Sequence, residues 1–98
     1  MAAKQKRPVA LTIAGSDSGG VAGIQADLKT FASLDVHGTS AITCVTAQNP
    51  EAVLALQGVK ESILHDQLRA VFDRLRPAAV KTGMLHSAKL IRCVADFY

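Results

Sequence analysis

Three short segments of small and polar residues are the places in this sequence where ligand chemistry could occur. Each directly follows an apolar run, and they span residues 15–23, 47–50 and 83–86. Glycines in these segments let the backbone turn tightly and let a ligand approach closely. The free N–H groups at the start of a helix after the first segment favour an anionic or hydrogen-bond-accepting ligand. Gln48, in the second segment, adds an amide that offers both an acceptor and donors.

The first segment reads Gly-Ser-Asp-Ser-Gly-Gly-Val-Ala-Gly, and its spacing alone does not define a nucleotide site. It contains neither the G-x-G-x-x-G pattern of dinucleotide-binding folds nor the Gly-Lys-Ser/Thr sequence of a phosphate-binding P-loop. A tight turn that leads into a helix without binding any ligand therefore stays open as an alternative.

The apolar runs that precede the three segments are predicted strands. Runs at 9–14, 39–46 and 78–82 have the length and β-branched content of buried strands, and 53–59 is a weaker strand candidate. Strands that alternate with helices indicate an α/β fold with a mostly parallel sheet. The carboxyl ends of parallel strands meet at one edge, where open α/β folds bind ligands. The three segments are therefore expected to converge there.

Helical spacing of apolar residues separates the predicted strands. The first helix begins after the glycine-rich segment and ends near Leu34, and His37 is placed in the turn that follows, with no role assigned. The second helix is predicted to begin at an N-cap, Ser62, and to stop at Pro77. Ser87 is predicted to cap the third helix.

Composition is that of a small globular domain with helices on a sheet. The 98 residues are 49% hydrophobic but only 4% aromatic, so the core must consist mainly of aliphatic side chains. Part of the net charge of +3 lies in residues 1–8, interpreted as a basic flexible tail and not as a nucleic-acid patch. No membrane span or secretory signal is predicted. Cys44 and Cys93 lack metal-site spacing and are predicted to be buried thiols of a cytoplasmic protein.

The first segment and the helix after it resemble a known family. Residues 14–31 read Ala-Gly-Ser-Asp-Ser-Gly-Gly-Val-Ala-Gly-Ile-Gln-Ala-Asp-Leu-Lys-Thr-Phe. This string is similar to the first motif of the hydroxymethylpyrimidine/phosphomethylpyrimidine kinases, thiamin-biosynthetic enzymes of the ribokinase-like superfamily. Val21 departs from that motif, which usually has glycine at this position. If the loop requires a positive φ there, a β-branched residue would be strained.

Two further motifs coincide with the other two segments. Residues 45–49, Val-Thr-Ala-Gln-Asn, and residues 81–85, Lys-Thr-Gly-Met-Leu, are similar to the second and third motifs of the family. The resemblance implies that the Gln48 amide hydrogen-bonds an aminopyrimidine ring and that Met84 forms an apolar wall against it. The substrate-binding set that it implies is Gly15, Ala22, Asp27, Thr46, Gln48 and Met84.

Three of these assignments have alternatives, and a fourth residue, Lys81, lies outside the set. Asp27 either holds the substrate or caps the loop, since an acidic residue early in a helix is stabilising in any case. Lys81 is interpreted as a structural lysine that extends its amine from the sheet to water. Two further alternatives stay open. Gln48 could be a surface amide in a turn, and Met84 could be an ordinary core residue.

The resemblance implies ATP-dependent phosphorylation of 4-amino-5-hydroxymethyl-2-methylpyrimidine and then of its monophosphate, with Mg²⁺. The partner is then a small molecule, and neither nucleic acid nor a membrane. It also implies that the catalytic base, the glycine-rich anion hole and most ATP and metal contacts lie in a C-terminal half. No Gly-Thr-Gly-Cys or Gly-Ala-Gly-Asp string occurs in this sequence. No catalytic residue is therefore assigned, and the 98 residues alone are not expected to be active.

The last predicted helix ends without a stop signal, which predicts a truncated fold. The resemblance then implies that residues 9–98 are the N-terminal portion of a ribokinase-like, three-layer kinase domain. Such a half-sheet exposes an unpaired edge, which favours a homo-oligomer. Two alternatives to the pyrimidine kinase remain. One is part of a pyridoxal or pyridoxine kinase, although Ala-Gln-Asn after the second strand favours the pyrimidine enzyme. The other is a non-catalytic remnant that serves as a binding or assembly module.

Overall fold

The computed structural model describes residues 7–97 as alternating strands and helices. The elements are β1 (Val9–Ser16), α1 (Gly23–Ser33), β2 (His37–Gln48), β3 (Val53–Gly58), α2 (Glu61–Arg74), β4 (Ala79–Thr82) and α3 (Ala88–Phe97). Each predicted strand and helix is present, with boundaries shifted by a few residues. The predicted tail, residues 1–8, falls mostly on residues 1–6, which lie outside the described residues.

The four strands form one mixed, mostly parallel sheet in the order β3-β2-β1-β4. β1 is parallel to both β2 and β4, whereas β3 is antiparallel to β2. β1 lies between two neighbours and is buried along nearly its whole length. β4 is predicted as a buried strand, but it lies at the edge of the described sheet and all four of its residues are exposed. Its apolar composition indicates a strand, whereas burial depends on what covers it.

Helices lie on both faces of the sheet, as the α/β prediction requires. Successive side chains of a strand point to opposite faces. Leu11 and Ile13 of β1 belong to the buried core, which includes residues of α2 and α3. Thr12, between them, contacts Asp27 of α1 on the other face. The described residues therefore form three layers, with β1 at the centre.

β2 begins at His37, where the sequence predicts a turn. The His37 N–H donates to the Pro8 carbonyl at 2.9 Å, which starts the parallel pairing with β1. The turn is made instead at Asp35, whose φ is 58°. Gly38 follows in the strand, and a side chain there would come within 2.8 Å of Leu28 Cδ2. This glycine lets α1 approach the sheet closely. Packing therefore overrides the weak strand propensity of His37 and Gly38.

The helix ends agree with the sequence prediction at α3 and differ from it at α2. α2 begins at Glu61, one residue before the predicted cap Ser62, and Lys60 occupies the N-cap position without a side-chain hydrogen bond. Before α3, the Ser87 hydroxyl accepts a hydrogen bond from the Leu90 N–H at 3.2 Å, as predicted. Within residues 7–97, every helix is too short or too polar to cross a membrane.

Candidate functional site

The carboxyl ends of the parallel strands meet at a cleft of about 400 Å³. β1, β2 and β4 each deliver the loop that follows them to this edge, as their connectivity predicts. Five of the six substrate-binding residues implied by the resemblance line the cleft: Gly15, Ala22, Thr46, Gln48 and Met84. They lie at the ends of β1 and β2 and in the loops after β1 and β4, which are distant in sequence, and only the fold brings them together. Their role in binding stays a prediction.

Gly15 allows close packing at the end of β1, where this strand meets the cleft. It is buried, and a side chain at this position would come within 2.8 Å of Cys44 Sγ and 3.2 Å of Met84 Cε. Cys44 is fully buried and its thiol is free, so it cannot move away easily. The missing side chain therefore lets Cys44 and the Met84 thioether pack directly against the backbone of β1 at the edge of the cleft.

The main chain of Gln48 is held by Ser18 of the glycine-rich loop. Ser18 Oγ donates to the Gln48 carbonyl at 2.6 Å and accepts from the Gln48 N–H at 2.7 Å. Thr46 Oγ1 donates to the Ser16 carbonyl at 2.8 Å and lies 3.1 Å from Gln48 Oε1. The Thr46 hydroxyl has one hydrogen, and it is donated to the Ser16 carbonyl, which is the closer of the two acceptors. The backbone of Gln48 is therefore fixed while its amide can turn towards a ligand.

Asp17 organises the glycine-rich loop, a role that the sequence analysis did not assign. Asp17 is only 3% exposed. Its Oδ1 accepts from the Gly19 N–H at 2.7 Å, and its Oδ2 accepts from the N–H groups of Val21 at 3.1 Å and Ala22 at 2.9 Å. Hydrogen bonds to an ionised acceptor are stronger than neutral ones. The available signal was an aspartate two residues before a glycine pair, which is typical of a turn closed by the aspartate side chain.

This arrangement bears on the expectation that N–H groups at the start of α1 favour an anionic or hydrogen-bond-accepting ligand, which stays a prediction. The Asp17 carboxylate already lies before the start of α1, where a bound anion would be expected. Three N–H groups of the loop are directed at it, and its charge repels a second anion. The loop therefore suits an uncharged part of a ligand.

Val21 does not strain the loop. The positive φ angles between β1 and α1 belong to Gly20, at 78°, and Gly23, at 58°. Val21 is 62% exposed, so its side chain displaces nothing. Because glycine alone adopts positive φ without cost, these two positions carry the turn. The departure from the family motif at residue 21 therefore leaves the loop geometry intact.

Asp27 is absent from the cleft lining and pairs with Lys81, while the loop-capping role belongs to Asp17. Asp27 Oδ2 accepts from Thr12 Oγ1 at 2.6 Å and from Lys81 Nζ at 2.8 Å, and Oδ1 lies 3.0 Å from the same amine. Lys81 itself lines the cleft. The lysine interpreted as reaching only into water is thus fixed by a carboxylate beside the candidate site.

The ion pair sets the protonation of Asp27. Burial raises the pKa of its carboxyl, but the hydrogen bonds from Lys81 and Thr12 and the Lys81 charge together lower the pKa by more, so it lies below its ordinary value. Asp27 is therefore ionised at neutral pH, and its pairing stabilises the fold most above the ordinary aspartate pKa of about 4.

This pKa shift predicts a pH dependence of stability. Asp27→Asn is expected to lower the free energy of unfolding at pH 7 by about 1 kcal/mol, a modest value because Lys81 is half exposed. The difference from the unchanged protein should shrink as the pH falls through the lowered pKa, where the carboxylate becomes protonated. Urea unfolding of both proteins at several pH values measures this difference in the free energy of unfolding. Asp73→Asn, at an exposed pair with Arg69, is the control, and a difference at residue 27 that stays constant with pH would contradict the prediction.

Residues 7–97 bring together no group of three or more histidine, cysteine, aspartate or glutamate side chains that could hold a metal ion. The Mg²⁺ implied by the resemblance therefore does not fit any cluster in the described part of the chain.

Two solved structures share this fold. The chain matches phosphomethylpyrimidine kinase (thiD) from Clostridium difficile 630 with a TM-score of 0.90 and 47% identity, over 92% of this chain and 39% of that one. It matches the pyridoxal kinase from Staphylococcus aureus in complex with AMP-PCP and pyridoxal with a TM-score of 0.85 and 34% identity, over 96% of this chain and 35% of that one. The chain thus has the N-terminal part of the fold that these two ribokinase-like kinases share.

Sequence comparison identifies the family within that class. The family model for phosphomethylpyrimidine kinase matches residues 17–98. The hydroxymethylpyrimidine/phosphomethylpyrimidine kinase of Bacillus subtilis is 60% identical over 86 residues, which are 88% of this chain and 32% of that protein. The chain therefore belongs to the phosphomethylpyrimidine kinase family, which confirms the resemblance. It spans about a third of the length of the curated relatives that it matches.

Proposed function

We propose that this chain forms the pyrimidine-binding side of a hydroxymethylpyrimidine/phosphomethylpyrimidine kinase. The reaction is the ATP-dependent phosphorylation of 4-amino-5-hydroxymethyl-2-methylpyrimidine and of its monophosphate in thiamine biosynthesis, the pathway named for one bifunctional relative. The single observation that supports it most is the cleft that three separate parts of the chain line with Gly15, Ala22, Thr46, Gln48 and Met84. ATP and Mg²⁺ belong to the proposal through the family, with their contacts outside the described residues.

In this proposal the described residues bind and orient the ring. The ring lies at the end of β1 over Gly15, with one face against Met84, and its amino group and adjacent nitrogen pair with the Gln48 amide. The Asp17 carboxylate repels an anion at the nearby loop, so a phosphate on the substrate points away from it. Phosphoryl transfer depends strongly on the orientation of the reacting groups. This half of the site therefore contributes by presenting the hydroxymethyl oxygen to the rest of the enzyme.

A chimeric kinase tests the proposal directly. The segment of the Bacillus subtilis kinase that matches this chain is replaced by residues 9–98, and ATP-dependent phosphorylation of the pyrimidine is measured. We expect the chimera to phosphorylate it and the 98-residue chain alone to form no product, because the chain covers only about a third of its relatives. The remaining part of the Bacillus subtilis kinase without the segment is the control. A folded chimera that binds the pyrimidine no better than this control contradicts the proposal, as does steady product formation by the purified 98-residue chain.

Phosphorylation of pyridoxal is the second candidate function. It is favoured by the Staphylococcus aureus kinase in complex with pyridoxal, which shares the fold at 34% identity. Pyridoxal is also a flat, hydroxymethyl-bearing heterocycle, but it lacks the amino group that suits the Gln48 amide. The same chimera is expected to have a higher kcat/KM for the aminopyrimidine than for pyridoxal. The reverse order would favour the second candidate.

The proposal also includes a cellular location and an oligomeric state. Cys44 and Cys93 are both free and buried, as suits a reducing compartment, and we propose a cytoplasmic location. The edge strands β3 and β4 expose apolar side chains, among them Leu54 and Val80. We propose that these edges favour a homo-oligomer of the 98-residue chain.

A further inference from the structure

Met84 lies in a segment that is attached to the sheet at two points beside the cleft. β4 ends at Thr82, and the N–H of the next residue, Gly83, donates to the Ile13 carbonyl of β1 at 2.9 Å. The Met84 carbonyl accepts a hydrogen bond from Thr43 Oγ1 of β2 at 2.7 Å. The backbone of Met84 is therefore held by β1 on its N-terminal side and by β2 at its own carbonyl.

Thr43 is itself fixed in the sheet, so it can hold this segment. Its side chain is fully buried, and its carbonyl accepts from the Val59 N–H at 2.9 Å. Residues 14–16 of β1 lie opposite residues 42–45 of β2, so β2 has one extra residue at this point. Bulges of this kind occur next to active sites, where they redirect a side chain. Here the irregular stretch of β2 directs the Thr43 hydroxyl at the Met84 backbone.

The position of the Met84 side chain depends on this attachment. The side chain lines the cleft and is 49% exposed, and its Cε packs beside Gly15. A methionine side chain is flexible, so packing at one end does not fix where its thioether lies. The hydrogen bond from Thr43 fixes the backbone from which the side chain extends. Order that exists before a ligand binds does not have to be created by the ligand, which favours binding.

We propose that Thr43 is a positioning residue of the pyrimidine site, and that its hydroxyl favours binding by holding Met84 where it contacts the ring. This inference rests on the proposed function. Thr43 is fully buried and does not line the cleft, so its effect on a ligand passes through Met84. Substitutions at the two positions are therefore expected to be coupled in their effect on affinity.

Removing the Thr43 hydroxyl tests its effect on affinity. Dissociation constants of 4-amino-5-hydroxymethyl-2-methylpyrimidine for the full 98-residue chain are measured by ligand-observed NMR. Thr43→Val is expected to weaken binding roughly threefold to tenfold, the usual contribution of one hydrogen bond, and Thr43→Ser should restore most of it. Thr39→Val is the matched control. Thr39 is another buried threonine of β2, it donates to the Ala10 carbonyl at 2.8 Å, and it does not line the cleft, so its loss should leave the affinity unchanged.

A double-mutant cycle with Met84→Ala separates positioning from a general effect on the fold. In the Met84→Ala background, Thr43→Val should weaken binding no further, because no thioether remains to be positioned. The sequence contains two methionines, so an isotope-labelled Met84 methyl group gives a signal that can be followed directly. The pyrimidine ring should shift this signal in the unchanged chain and in Thr43→Ser, and should shift it less in Thr43→Val at saturation.

Two results would overturn the role of Thr43 and leave the proposed function standing. One is equal weakening by Thr43→Val with and without the Met84 side chain, which would assign the hydroxyl to the fold alone. The other is unchanged binding by Thr43→Val. If urea unfolding shows that Thr43→Val does not fold, Thr43→Ala takes its place in the cycle, and failure of both to fold also assigns the hydroxyl to the fold. An unchanged chain that binds no pyrimidine at millimolar concentrations overturns both the inference and the proposed function.

Discussion

Replacing Asp17 by alanine is expected to lower the free energy of unfolding by about 3 kcal/mol, a large share of the stability of a small domain. The substitution removes the acceptor of three backbone N–H groups, those of Gly19, Val21 and Ala22. Each hydrogen bond to a charged group contributes about 1.5–3 kcal/mol, and water replaces part of this at the exposed residues of the loop. The loop would also lose the geometry that brings Ser18 to Gln48.

Urea unfolding measures this loss, with two further variants for comparison. Asp17→Asn keeps one oxygen but turns an NH₂ group towards N–H donors, so it should lose most of the same stability. Asp73→Ala removes an exposed carboxylate from α2 and should change the free energy of unfolding by less than about 0.5 kcal/mol. If Asp17→Ala were as stable as Asp73→Ala, the carboxylate would not be what organises the loop.

The order of strands and helices was predictable because each element carries a local pattern. β-branched runs mark the strands, and the spacing of Ile24, Leu28 and Phe31 marks α1. The start of β2 was missed because His37 and Gly38 have weak strand propensity, and their conformation is fixed by pairing with β1 and by packing against α1. The exposure of β4 depends on sheet order, which a local pattern does not contain.

The candidate site was predictable in its position and only partly in its interactions. Motif and connectivity together indicated Gln48 and Met84 at the edge where the structure has its cleft. Asp17 carried a local turn signal that could have been used. The Asp27–Lys81 pair could not be found in this way, because the two residues are 54 positions apart. Their contact depends on the register of β4 with β1 and on the rotation of α1, which are properties of the packed fold.

Replacing Gln48 by alanine is expected to weaken binding of the aminopyrimidine roughly tenfold to a hundredfold. Gln48 is half-buried and lines the cleft, and its main chain is fixed by Ser18. A hydrogen bond lost in a desolvated pocket costs about 1–3 kcal/mol, which corresponds to this loss of affinity. The Gln48 side chain holds no element of the fold, so the free energy of unfolding should change little. Gln57→Ala is the matched control, because Gln57 is an exposed amide of β3 outside the cleft.

The most direct test of the account is therefore the dissociation constant of 4-amino-5-hydroxymethyl-2-methylpyrimidine for three forms of the 98-residue chain, measured by ligand-observed NMR. The account predicts that the unchanged chain and Gln57→Ala bind the pyrimidine equally, and that Gln48→Ala binds it at least about tenfold more weakly while remaining folded. Equal binding by all three forms, or no binding by the unchanged chain, would contradict the claim that this cleft recognises an aminopyrimidine.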